Sequence, residues 1–158
     1  MKINKKAFTL IEILIVMVIV AVLAAIALPK YIDTVDSGLA KKAYDAMQMV
    51  YAAQLRYSAE SPSGAFTKNF KLLDVQFPSA TISGTDNNKL DFNKFALELT
   101  TSEVKTVDLE HIQLVLNFQN QTKRCNVTSA SNVSKGQRVC VSLGGMLVTG
   151  QTKIYNLP

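Results

Sequence analysis

Histidine is almost missing from this 158-residue chain, which has one, His111. A Ser-His-Asp triad or a histidine-ligated metal site is hard to build from a single imidazole. His111 stands beside a predicted strand and reads as a surface or edge residue. Glycine is sparse at seven, and no Gly-rich phosphate loop of Walker or Rossmann spacing occurs. The two cysteines, Cys125 and Cys140, form no CxxC pair, which argues against redox catalysis and against zinc. Long charge runs and internal repeats are missing too. The chain is therefore read as a non-enzyme that calls for no cofactor and no metal.

What is present begins at Lys5, in the run KKAFTLIEILIVMVIVAVLAAIALP. Phe8 to Leu28 make 21 residues, of which Glu12 alone is charged. As a helix this stretch would be roughly 32 Å long, a match to the hydrocarbon core of a bilayer. A charge within such a span costs about 2.5–3.5 kcal/mol, so Glu12 is a functional residue by default. The competing reading is a protonated Glu12 held by its own helix with no further role. Lys2, Lys5 and Lys6 precede the run, while Lys30, Asp33 and Asp36 follow it. That bias predicts a single-pass topology with the N-terminus in the cytoplasm and everything after Pro29 outside.

The formal net charge is +5, and removal of the three leading lysines would leave +2. That is too small to argue for nucleic acid; Lys68, Lys71, Lys123, Lys135 and Arg138 would offer DNA a basic surface, but a solvated mixed surface is the stronger reading. In an oxidising compartment Cys125 and Cys140 would most simply form one disulfide, the other reading being two reduced thiols. An ordinary secretory signal also fits the small-x-small pattern Ala25-Ile26-Ala27. Against it stand the length of the run, the carboxylate inside it, and a helical pattern that continues past the cut.

Lys5-Lys6-Ala7-Phe8-Thr9-Leu10-Ile11-Glu12 resembles the leader and first residues of a type IV prepilin, and the likeness is dense to about Tyr31. The resemblance implies cleavage between Ala7 and Phe8 by a prepilin peptidase, with N-methylation of Phe8. Ala7 stands where similar proteins carry glycine. Glu12 stands at the acidic position that pairs with the N-terminal amine of a neighbouring subunit during assembly. Pro29 matches the helix-kinking proline of such subunits. The implied partners are further copies of the chain joined through their N-terminal helices, membrane lipid before assembly, and an inner-membrane platform with a cytoplasmic ATPase. The implied places are the inner membrane first and a surface filament afterwards. A pseudopilin of a type II secretion or competence system, or an anchored binding module that never polymerises, are the alternatives.

The expected organisation is a leader at 1–7, an apolar helix at 8–28, an amphipathic helix at 29–61 and a head at 62–158. From Ile32 through Val35, Leu39, Ala43, Ala46, Val50 and Ala53 to Tyr57 the apolar spacing is helical, and Gln54 falls on the polar side. Pro62-Ser63-Gly64 ends this helix. Phe66, Phe70, Leu72, Leu73, Val75 and Phe77 would tack a connector onto the head. Asp86, Asn87, Asn88 and Asp91 read as a turn rather than a calcium loop. Alternation predicts strands at Phe95–Thr100, Ile112–Phe118 and Val139–Leu143, with a further short one at Arg124–Thr128. The fold class is α+β: a long N-terminal helix packed on an antiparallel sheet, with a C-terminal loop bounded by the two cysteines. Three Asn-x-Ser/Thr matches, at Asn120, Asn126 and Asn132, read as chance in a polar loop. Tyr31, Tyr44, Tyr51 and Tyr57 read as packing and interface residues.

Overall fold

The computed structural model describes residues 8–158. The expected leader, 1–7, lies outside them. One helix, α1, runs Leu10–Glu60 with Pro29 inside it. Proline lacks an N–H, so the Ala25 carbonyl loses its i+4 donor there. The chain divides into two units, one ending at Val35 and the other Asp36–Pro158.

In the first unit α1 carries a window of mean hydropathy 3.1, none of it buried. It is apolar all round, which a soluble surface helix is not. It is long and apolar enough to cross a membrane.

The second unit holds the remainder of α1 and an antiparallel sheet. The strands are β1 (Thr81–Ser83), β2 (Lys89–Asp91), β3 (Ala96–Leu99), β4 (Glu103–Val107), β5 (Ile112–Asn117), β6 (Lys123–Val127), β7 (Met146–Leu147) and β8 (Ile154–Asn156). Their order is β1-β2-β3-β4-β5-β6-β8-β7, all antiparallel. A second helix, α2 (Val133–Ser142), separates β6 from β7. Alternate strand residues turn inward: Leu97 and Leu99, Val104 and Thr106, Ile112, Leu114 and Leu116, Cys125 and Val127. They share one core with Ala40, Ala43, Ala46, Met47, Val50 and Ala53 of α1. Small residues predominate on this face of the helix, so its backbone comes close to the sheet. The α+β architecture expected from the sequence is the one observed.

The stripe differs from the expected one at both ends. Ile32 and Val35 are exposed, whereas Met47 and Gln54 are buried. Gln54 is inward because its amide does the work of a strand partner. Its Nε2 donates to the Thr67 carbonyl at 2.6 Å, and its Oε1 accepts from the Thr67 N–H at 3.1 Å. This fixes the start of the connector, where Phe70 and Leu73 are buried and Leu72 is exposed. Gln54→Met keeps the volume but orphans two backbone groups, each worth about 1–3 kcal/mol when buried. A loss of about 2–4 kcal/mol is expected, read by thermal unfolding of the detergent-solubilised chain.

The expected strand at Val139–Leu143 is instead the last turns of α2. Alternation placed Val139 and Val141 inward and Cys140 outward. The structure joins Cys125 to Cys140, so Cys140 must face the core beside a strand residue that is fully buried. A helix buries Val139 and Cys140 together and turns Val141 out, with 57% of it exposed. Gly136 lets α2 lie against the sheet, since a Cβ there would meet Val127 Cγ1 at 2.6 Å and the His111 carbonyl at 2.9 Å. His111 is thereby a correction as well: its side chain is 9% exposed, close to Glu110, and not a surface residue. Closing a 15-residue loop by the disulfide stabilises the fold by about 3 kcal/mol in the chain-entropy model.

Polar contacts trim this core. Lys135 on α2 pairs with Asp36 on α1 at 2.6 Å, with both side chains about one-fifth exposed. Tyr44, whose hydroxyl burial pushes above its ordinary range, donates to the Pro158 oxygen, as does Lys123. The buried Thr106 hydroxyl accepts from the Leu114 N–H at 2.8 Å. Arg56 and Asp74 form a two-bond pair at the surface. The hydrogen bond from Arg56 holds the Asp74 carboxyl below the usual range. A lowered folded value stabilises above the unfolded pKa and is lost as pH falls through the folded one. Asp74→Asn should therefore lower the melting temperature slightly at neutral pH and leave it unchanged in strong acid, because the pair is open to solvent.

Candidate functional site: the capped carboxylate of the apolar helix

Glu12 lies in the first turn of α1, where helix N–H groups have no partner within the helix. Thr9-Leu10-Ile11-Glu12 forms a capping box. The Thr9 N–H donates to Glu12 Oε2 at 2.8 Å, and the Thr9 hydroxyl donates to the same oxygen at 2.8 Å. The Glu12 N–H in turn approaches Thr9 Oγ1 at 3.3 Å. The positive end of the helix dipole favours the negative group at this position. Among the described residues Oε1 accepts no hydrogen bond, so half of the carboxylate is available to another donor.

Thr9 is a capping side chain that was not among the residues expected at this site. The signal was present, since a threonine three residues before a glutamate and ahead of an apolar run marks a helix start. Phe8 precedes the box and is 80% exposed. Ala7, the other residue of the expected cut, lies outside the described residues. Pro29 sits 17 positions beyond Glu12 in the same helix. Cys125 and Cys140 belong to the second unit and take no part in this site.

Other candidates are spent structurally. Asp86 pairs with Lys68 at 2.7 Å in the turn between β1 and β2, and Asp91 caps the Asn93 N–H. No group of three or more potential metal ligands occurs among the described residues. Asn126 lies in β6 with its side-chain oxygen buried. A capped carboxylate with one open oxygen can bind a cation or a donor.

Residues 2–28 match the family model described as the prokaryotic N-terminal methylation motif. This is the type IV prepilin leader signature, carried by type IV pilin-like and pseudopilin proteins. No curated protein and no solved structure matches the chain. The motif marks a structural protein processed by a prepilin peptidase, and with the apolar helix it fits membrane anchoring before assembly.

Proposed function

We propose that the chain is a structural subunit of a type IV pilus-like helical surface filament. The observation that carries this reading is the apolar window of α1, none of it buried, with one capped carboxylate at its start. In lipid that surface is solvated by acyl chains. In a fibre the same surface is covered by equivalent helices, an exchange between two apolar surroundings. Cleavage between Ala7 and Phe8 leaves the capping box intact and creates an amine at Phe8. Methylation of that amine retains its charge, and the open oxygen of Glu12 on a neighbouring copy accepts from it. The pairing fixes the axial offset, and an unpaired charge in an apolar core selects strongly against other registers. Pro29 loosens one turn and lets the helix adapt on leaving the bilayer. The chain has no nucleotide loop, so extraction is driven by a platform with a cytoplasmic ATPase.

Fibres sheared from cells are expected to give an N-terminal peptide that begins at Phe8 and carries one added methyl, read by mass spectrometry. A mature chain starting at Leu28 or Lys30 would sink the proposal in favour of an ordinary secretory signal. Short cell-bound fibres in place of long sheared ones would assign the same subunit to a pseudopilus.

A further inference from the structure

Between Pro29 and Leu39, α1 has little to hold it. Tyr31, Ile32, Thr34, Val35 and Gly38 are exposed, and the first core residue is Ala40. Thr34 is β-branched, and its hydroxyl turns back onto the Lys30 carbonyl at 2.9 Å, a contact that weakens helices. A Cβ at Gly38 would meet nothing within 4 Å, so no close approach requires glycine there, and glycine lowers helix stability.

One element reaches α1 just ahead of Ala40. Lys135, in the first turn of α2, holds Asp36 Oδ2 at 2.6 Å, with both side chains about one-fifth exposed. That oxygen is closed to solvent, and the ammonium is its partner. The helix dipole opposes a cation in a first turn, so Lys135 is placed to serve Asp36 rather than α2 itself. The other end of α2 is tied to β6 through Cys140 and Cys125, and Gly136 seats its middle against Val127 and the His111 carbonyl. The arm that carries Lys135 is therefore fixed to the sheet. An enclosed ion pair adds little net stability, but losing one partner strands a buried charge, so the pair fixes position sharply.

We infer that α2 is a collar on α1. Through Lys135 it fixes the helix at Asp36, so local opening that starts in the weak stretch stops there and does not reach the core at Ala40. The second unit of the chain begins at the same residue. The collar belongs to the head alone and holds whether or not the chain forms fibres. The test is amide hydrogen exchange on the full chain in detergent, with Lys135→Met. That change leaves the Asp36 carboxylate enclosed without a partner, and it reaches water only when its turn opens. Exchange at Ser37, Gly38 and Leu39 should rise about tenfold or more, while Leu114 and Leu116 of β5 keep their rates. Adding Gly38→Ala should win back roughly fivefold, through helix propensity alone, because the new methyl touches nothing. Unchanged exchange in Lys135→Met would overturn the collar. So would a rise spread equally over β5, which would make the pair a general prop of the fold. Failure of Gly38→Ala to recover any protection would overturn it too, by placing the opening elsewhere.

Discussion

Glu12→Ala should leave the chain in the membrane at no less than its normal level and remove it from fibres. Insertion becomes easier by about 2.5–3.5 kcal/mol, the cost of a charge in the span. On the proposed pairing, assembly loses the partner of a buried ammonium, and breaking a buried pair on one side costs about 3–5 kcal/mol. At about 1.4 kcal/mol per tenfold, incorporation should fall by roughly a hundred- to several-thousandfold. The two effects have opposite signs, so quantifying membrane and fibre fractions separately distinguishes an assembly role from simple misfolding. Glu12→Gln refines the result. Its amide oxygen still accepts from Thr9, so the helix cap survives while the charge is lost. Normal incorporation of that variant would mean that charge pairing does not set the register.

Gly136→Val is the largest expected effect in the head. Two influences compete at this position. Replacing glycine inside a helix gains up to about 1 kcal/mol in propensity. Against that, the first added carbon lands 2.6 Å from Val127 Cγ1 and 2.9 Å from the His111 carbonyl. The valine methyl can rotate, but the carbonyl cannot, because it accepts from the Thr128 N–H and anchors the end of β5. Overpacking costs about 1–3 kcal/mol for a small excess and more for a branched side chain. Even Gly136→Ala should therefore destabilise, and Gly136→Val should lift α2 from the sheet. Thermal melts of the solubilised chain, with faster reduction of the disulfide, are the readouts. A gain in stability for the alanine variant would show that α2 does not sit this close.

The parts of the fold that the sequence displayed are those with a long enough period. α1 repeats its pattern over many turns, β5 alternates along its whole length, and β3 and β6 alternate over part of theirs. β4 did not show because its inward positions are Val104 and Thr106, and Thr106 is buried through a hydrogen bond rather than through apolar character. β1, β2, β7 and β8 have two or three residues each, too few for any periodicity. α2 was hidden because Val139, Val141 and Leu143 satisfy a period of two, whereas the helix buries Val139 with Cys140 and turns Val141 outward. Gln54 hid in the same way, since a polar residue was assigned to water although its amide is matched to a backbone. The candidate site was legible at Glu12, a charge with no local excuse. Thr9 was legible only as the Thr-x-x-Glu spacing ahead of an apolar run, which marks a helix start rather than a site.

Both sulfurs of the Cys125–Cys140 bond lie in residues with no exposed surface. A small thiol in the surroundings cannot touch them while the head is closed, since exchange needs direct attack on a sulfur atom. At high thiol the rate at which this cross-link disappears is consequently governed by how often α2 swings away from β6, not by the strength of the reductant. Measured against rising thiol concentration, that rate should level off at a ceiling, and the ceiling is a clock for the opening of this corner.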